Sequence, residues 1–264
     1  MDPGRQLTCV GVYPRSLPVS AERVWENVRD WEHLPWLHSS SFSSIECLDQ
    51  GAWGWRARIA AAGDVFTLEL VIESDAPRYV SRTLDGGGAG TEIWTDIQER
   101  GEKETHVRVE FWLPEVPAEG ASRLAEFFVA LYTRLWDEDE SMMLRRAEEL
   151  ASRSRARAFG TQPVGLGSLA DVTSRLPLVV DFGAGRFRVV EHDGALVAHA
   201  VVCPHRLGPL EDVPVQAGKI VCPWHGYAFD IASGKRCDGG RMRLLEAPRV
   251  EVDPASREVR LVAR

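Results

Sequence analysis

Long hydrophobic runs are missing from this 264-residue chain: no stretch of about 18 apolar residues occurs, so a membrane-spanning helix is not expected. Residues 1–10 likewise lack an apolar stretch of signal-peptide length. Basic charge is scarce. Lys and Arg number 31 against 39 Asp and Glu, a formal net charge of -8, and the one Arg-rich run is Arg153, Arg155, Arg157. A nucleic-acid binder needs a basic stripe to neutralise phosphates. This run follows a helical pattern and precedes a Gly/Pro stretch, so it reads as a solvated helix end. Cysteine is also rare: five residues, an odd number, do not suggest a disulfide scaffold, and a reducing cytoplasm is the expected location. No internal repeat is evident. The glycine cluster at 86–90 has no Lys-Ser/Thr and follows no strand–helix pattern, so it reads as a turn and not a phosphate loop. No flavin or nicotinamide fingerprint is visible.

What is present describes a globular protein of two parts. Hydrophobic residues make up 44% and charged residues 27%, and the length allows two domains with a core each. Eight of nine tryptophans precede residue 140, which suggests an aromatic-lined interior in the first half, although core packing accounts for most of them. A short β-rich run at 7–13 is followed by Ser20, a helix N-cap, and a helix expected to reach His33, with Pro35 unable to continue it. Strand-like runs follow at 41–48, 53–60, 65–73, 79–83, 92–99 and 105–113, separated by turn residues. Residues 118–153 read as one long helix with Leu124, Phe127, Phe128, Leu131, Leu135 and Met142 on one stripe. The expected division is 1–152, a linker at 153–176, and 177–264. In the last segment Asp193-Gly194 marks a two-residue hairpin turn, with His192 and His199 on either side read as solvent-facing. His106, on a strand, reads as a surface or satisfied histidine.

The sharpest motif is Cys203-Pro204-His205, sixteen further residues, then Cys222-Pro223-Trp224-His225. Thiolates suit an iron that also carries sulfide, and neutral imidazoles suit a second iron that is easier to reduce. One Cys and one His from each of two loops can therefore hold a two-iron cluster. Zinc sites usually pair Cys with Cys and His with His, whereas each pair here is mixed. Residues 177–264 resemble a Rieske domain, through His205-Arg206-Leu207-Gly208-Pro209-Leu210 and the stretch from Cys222 to Asp230 followed by Gly234. The resemblance implies a [2Fe–2S] cluster on Cys203, His205, Cys222 and His225. Respiratory Rieske proteins add a disulfide between the cluster loops; the matching positions are Gly208 and Trp224, so the resemblance implies the lower-potential kind found in ferredoxins and oxygenases. Cys237 lies outside the motif and reads as an ordinary side chain.

A second constellation is Asp30-Trp31-Glu32-His33-Leu34-Pro35-Trp36-Leu37-His38. On a helix Asp30 and His33 share a face, and a break at the proline lets His38 fold back towards the same point. Two imidazoles and a carboxylate would form a non-haem Fe(II) facial triad. The long helix offers Asp137-Glu138-Asp139-Glu140, of which Glu138 and Asp139 flank the apolar stripe; periodicity does not choose between them. Asp-x₂-His-x₄-His resembles the mononuclear-iron motif of Rieske non-haem iron oxygenases. That resemblance implies Asp139, the Asp of a Glu-Asp pair, as third ligand with His33 and His38, and Asp30 as a bridge between the two metal centres, within one chain or between neighbours.

The resemblance further implies an α+β fold: a helix-grip (START-like) catalytic domain with an antiparallel sheet and long C-terminal helix, followed by an all-β Rieske domain, the reverse of the familiar order. The implied activity is O₂-dependent hydroxylation or a related oxidation of an apolar or aromatic small molecule. Electrons would come from a separate reductase or ferredoxin, and the protein would be a homo-oligomer, for which a trimer is one option. Neither nucleic acid nor membrane is an expected partner. The rival reading is a helix-grip carrier of hydrophobic ligands fused to a ferredoxin-like Rieske electron-transfer module, without mononuclear iron.

Overall fold

Strand alternation is clearest in β7 (Glu104–Leu113), where Thr105, Val107, Val109, Phe111 and Leu113 are buried and the residues between them half-exposed. A period of two sends these two sets to opposite faces, so β7 has one face in a core. It belongs to a seven-stranded antiparallel sheet with β1 (Thr8–Leu17), β2 (Ser44–Gly51), β3 (Gly54–Ala61), β4 (Asp64–Ile72), β5 (Arg78–Thr83) and β6 (Glu92–Gly101). The order across the sheet is β1-β7-β6-β5-β4-β3-β2, so β1 and β2 occupy opposite edges although they are consecutive in the chain. The connection between them must cross the whole sheet. It does so as α1 (Ala21–Val28), a 3-10 turn at Trp31–His33, and α2 (Leu34–Leu37). The computed structural model describes residues 6–116, 119–155 and 162–264, in two units of 1–147 and 148–264.

The helix expected to run to His33 is broken earlier. The Val28 carbonyl at the end of α1 accepts the indole N–H of Trp55 from β3, at 3.0 Å, and Asp30 leaves the helical region at φ -98°, ψ 79°. Pro35 does not end a helix; it sits in the first turn of α2, where a missing N–H costs nothing. Ser20 is the N-cap residue of α1, without a side-chain capping bond. Gly54 opens β3 at the β2–β3 turn and lies against β4: at φ +128°, a Cβ there would lie 1.9 Å from the Leu70 carbonyl oxygen.

After β7 comes α3 (Ala121–Arg155), 35 residues long. Leu124, Phe128, Val129 and Tyr132 pack on Val109, Phe111 and Leu113, while Trp136 and Met143 join the core formed by Val24, Val28, Trp55, Ile59 and their neighbours. Phe127, expected on the apolar stripe, is 60% exposed. Arg15 of β1 ties the sheet edge to α3, with 2.6 Å contacts to both Asp137 and Glu140. A sheet gripping a long helix, preceded by a helical crossover, is the expected START-like arrangement.

The second unit is mostly β. Its strands are β8 (Val164–Ser168), β9 (Leu178–Phe182), β10 (Gly185–His192), β11 (Ala195–Ala200), β12 (Lys219–Val221), β13 (Ala228–Asp230), β14 (Arg249–Val252) and β15 (Glu258–Val262), with α4 (Leu169–Ser174) after β8. They form sheets β11-β10-β9, β12-β13 and β14-β15-β8. The stretch read as linker therefore contains structure: β8 pairs with β15, and α4 is capped by Ser168, whose hydroxyl accepts the Asp171 N–H at 3.2 Å. Gly165 and Gly167, within the stretch read as linker, lie in a strand held by its partner β15. Residues 156–161, with Arg157 and Gly160, lie outside the described residues. Asp193 and Gly194 both adopt positive φ, 51° and 73°, as a tight hairpin turn requires. His199 departs from expectation: it is 1% exposed, not solvent-facing, and lines a cavity together with Ile231 and Leu244. Burial lowers its pKa, and its Nδ1–H donates to the Ala200 carbonyl at 3.0 Å.

Phe111 is fully buried and stacks on Phe128 with ring centroids 5.1 Å apart. Phe111→Ala should destabilise the first unit by about 3–5 kcal/mol in urea unfolding. Phe127→Ala, at an exposed position of the same helix, should cost less than about 1 kcal/mol.

Candidate functional site

The crossover from β1 to β2 carries an unusual load of buried polar groups. Asn27 (8% exposed), Asp30 (6%), His33 (3%) and His38 (3%) all face inward. Asn27 lies on the buried face of α1; Asp30 caps the 3-10 turn, its N–H donating to the Asn27 carbonyl at 2.9 Å. His33 ends that turn and His38 is the C-cap of α2, so the short helix holds one imidazole at each end. Their rings meet edge to face at a centroid distance of 5.0 Å.

Asp139 comes to them from α3, 101 residues beyond His38 in sequence, and is 8% exposed. Its Oδ1 lies 3.1 Å from His38 Nε2 and 3.4 Å from His33 Nε2, and accepts the Asn27 amide N–H at 2.9 Å. Burial pushes the Asp139 pKa up, but hydrogen bonds and charge from His33 and His38 prevail and hold it below the usual carboxylate range. For His38 the burial effect is downward; Asp139 and then Glu138 outweigh it and leave the imidazole raised. Burial also raises the nearby phenols of Tyr132 and Tyr79, the latter to about 12, with the Asp139 charge adding to both.

His33, His38 and Asp139 thus bring one donor atom each within 4.8 Å of one another, a set that could hold a metal ion. Two donors at right angles and about 2.1 Å from a cation stand about 3 Å apart, close to the 3.1 and 3.4 Å contacts found here. Helical angle left Glu138 and Asp139 equivalent; in the structure only Asp139 joins the two Nε2 atoms. Glu138 Oε2 instead meets His38 Nδ1 at 2.6 Å. Sequence reasoning missed Asn27. Its signal was an amide on the buried stripe of α1, three residues before Asp30 and six before His33. His106, by contrast, is half-buried on β7, with Nδ1 3.3 Å from Ser16 Oγ, and takes no part.

Cys203, His205, Cys222 and His225, the residues expected to hold a cluster, occupy two loops of the same design in the second unit. In the first, after β11, the Leu207 N–H donates to the Cys203 carbonyl (3.1 Å) and the Cys203 N–H to that of Gly208 (2.8 Å). In the second, after β12, Gly226 donates to Cys222 and Cys222 to Tyr227, both at 2.9 Å. Leu207 and Gly226 take the same left-handed conformation, φ 67° and 68°. Cys203 is fully buried and Cys222 is 1% exposed. Backbone N–H groups of His205 and Arg206 are directed at the Cys203 sulfur, and those of Trp224 and His225 at the Cys222 sulfur. Such donors favour thiolate. Hydrogen bonding from the Cys203 thiol, joined by His225 and these amides, lowers the Cys222 pKa below that of a free thiol.

The imidazoles of His205 and His225 stand perpendicular, 4.4 Å between centroids, with the Tyr227 ring 4.8 Å from His205. A Cβ at Gly208 would lie 2.8 Å from Cys222 Sγ and 3.2 Å from the Trp224 ring. The two positions that would carry the respiratory-type disulfide are therefore neighbours, filled by hydrogen and indole. Two buried thiols, two imidazoles and inward amides suit an iron–sulfur cluster in donor type and charge.

Residues 162–246 carry a Rieske [2Fe-2S] domain. The Rieske domain implies a [2Fe–2S] cluster. Among curated proteins, the chain is 31% identical over 74 residues to apoptosis-inducing factor 3 of Homo sapiens, covering 28% of this chain and 12% of that protein. It is 33% identical over 75 residues to the oxygenase component of dicamba O-demethylase from Stenotrophomonas maltophilia, covering 27% of this chain and 21% of that protein. The chain thus spans only a small part of these relatives. Among solved structures, a START superfamily protein from Mycobacterium smegmatis aligns with 51% of this chain and 96% of its own, at 18% identity and TM-score 0.43. The ferredoxin of carbazole 1,9a-dioxygenase from Nocardioides aromaticivorans IC177 aligns with 39% of this chain and 99% of its own, at 22% identity and TM-score 0.33.

Gly208→Ala should lose most of the cluster, measured as iron and acid-labile sulfide per chain, since the added methyl meets the Cys222 sulfur. Gly165→Ala, where a Cβ would meet nothing within 4 Å, should leave it intact. Cys203→Ala or Cys222→Ala should remove the cluster. His205→Cys or His225→Cys should shift the reduced-state electron paramagnetic resonance spectrum away from the low average g-value of histidine ligation.

Proposed function

We propose that the protein is a Rieske non-haem iron oxygenase. It would hold its [2Fe–2S] cluster on Cys203, His205, Cys222 and His225, and a mononuclear Fe(II) on His33, His38 and Asp139. The reaction is O₂-dependent hydroxylation, or a related oxidation, of an apolar or aromatic small molecule. Electrons come from a separate reductase or ferredoxin. The observation that carries this reading is the meeting of two imidazoles and one carboxylate, all buried, in a chain that also bears a Rieske domain. The similarity to an oxygenase component over part of the chain supports it.

Two imidazoles and a carboxylate are the donor set of non-haem Fe(II) oxygenases and leave positions open for other molecules. When bound, that iron supplies one-electron redox chemistry with O₂. The chain's own contribution is binding and exclusion. His33 and His38 present Nε2, Asp139 supplies the negative charge, and Asn27 holds the Asp139 carboxylate by its Oδ1. Trp136 and Met143, both nearly buried on the same helix, keep the surroundings apolar. In this reading residues 1–152 form the catalytic domain and 177–264 the core of the electron-transfer domain, in a cytoplasmic homo-oligomer, with a trimer as one option.

Asp30 fits the bridging role as an acceptor-only carboxylate, able to receive N–H bonds from two imidazoles at once. Electrons would then reach the mononuclear site past Asp30, within a chain or between neighbours.

Anaerobically prepared protein should contain three irons per chain. His33→Ala, His38→Ala and Asp139→Ala should each contain two, keep the Rieske spectrum and lose oxygenation. Two irons in the unaltered protein would instead favour a hydrophobic-ligand carrier fused to a Rieske electron-transfer module. Asp30→Asn should keep all three irons yet reduce the mononuclear site much more slowly in single-turnover kinetics; unchanged kinetics would remove its bridging role.

A further inference from the structure

Glu138 neighbours the carboxylate assigned to the iron but turns elsewhere. Successive residues on a helix diverge by about 100°, and His38 spans the two directions with its two ring nitrogens. Its Nε2 faces Asp139 Oδ1 at 3.1 Å and its Nδ1 faces Glu138 Oε2 at 2.6 Å. We propose that Glu138 is a positioning residue for His38, accepting its Nδ1–H and thereby presenting Nε2 to the point shared with His33 and Asp139. The proposal rests on the mononuclear-iron reading and adds a role to a residue outside its ligand set.

Three physical features support it. First, an ionised carboxylate can only accept, so the proton of the short contact belongs to Nδ1, which leaves Nε2 as the ligating atom. Second, the ring has few other ways to turn. The His38 carbonyl is engaged by the N–H groups of Ser41 and Phe42 at 2.8 and 2.9 Å, and its ring meets Phe42 and His33 edge to face at 6.2 and 5.0 Å. Third, a divalent cation on two neutral imidazoles and one carboxylate keeps a unit of positive charge, which a second carboxylate one imidazole away offsets. Glu138 can do this cheaply: its side chain is 30% exposed against 12% for Asp139, so it keeps part of its hydration. A carboxylate hydrogen-bonded to the outer nitrogen of a ligating histidine fixes its tautomer and raises its basicity, and losing one typically weakens metal binding about 10- to 100-fold.

The test uses the full chain with its Rieske cluster assembled, and measures Fe(II) uptake at the third site by anaerobic equilibrium dialysis. Glu138→Ala should bind Fe(II) about 10- to 100-fold more weakly than the unaltered protein, with an unchanged Rieske spectrum. Glu138→Gln loses the charge but keeps a carbonyl that can accept the Nδ1–H, and should recover part of that loss. Asp139→Ala, the reference, should take up no third iron. Unchanged binding in Glu138→Ala would overturn the positioning role and leave the iron reading standing. Equal loss in the Ala and Gln variants would overturn it too, because charge alone would then account for the effect. If the unaltered protein takes up no third iron, the iron reading fails and this inference with it.

Discussion

A carboxylate buried on a long helix constrains the whole first unit. Taking one such charge out of water costs several kcal/mol even after relaxation, and it is tolerated only with hydrogen-bonding or charged partners in place. Asp139 finds its partners in Asn27, His33 and His38, all from a single connection between two strands. Their placement dictates the shape of that connection. A continuous helix would turn His33 about 120° away from the other two and, at 1.5 Å per residue, hold Asn27 and His38 about 16 Å apart along its axis. Ending α1 at Val28 and restarting at Leu34 lets all three face the same atom.

The sheet makes that break possible. Because β1 and β2 lie at opposite edges, the crossover must run the width of the sheet, and Trp55 from a strand beneath it takes the last carbonyl of α1. On the other side Arg15 holds α3 by Asp137 and Glu140, the acidic residues that flank the Glu138–Asp139 pair in sequence. The four consecutive acids of α3 therefore divide their work by helical angle. The outer two anchor the helix to the sheet edge, and the inner two meet His38 from two directions.

The two candidate centres are built on different principles. In the Rieske domain each loop supplies a Cys, a His and its own inward amides within a few residues, so every half of the site is local. In the helix-grip unit the donors come from segments about 100 residues apart, and only the fold brings them together. A local site is tuned by loop conformation, as Leu207 and Gly226 show with their matching left-handed backbone. A site assembled at long range is tuned by what lies behind each donor, as with Asn27 behind Asp139 and Glu138 behind His38.

That difference explains what could be read from the residues alone. Cys203, His205, Cys222 and His225 stood out because their spacing is the loop geometry itself, and the strands of the first unit were legible because a half-buried strand alternates, as Thr105, Val107, Val109 and Phe111 do against His106, Arg108 and Glu110. The pair His33 and His38 was visible for the same local reason. What stayed hidden depended on partners distant in the chain. The end of α1 follows from the indole of Trp55, and His199 is buried in a part of the fold it shares with Ile231 and Leu244, more than thirty residues on. β8 gains its strand character from β15, nearly a hundred residues later. The choice of Asp139 over Glu138 at the meeting point of the imidazoles is of the same kind. Adjacent residues at the edge of an apolar stripe are equivalent by periodicity, and only the packed position of α3 over the crossover turns one inward to both Nε2 atoms and leaves the other at the rim, against Nδ1.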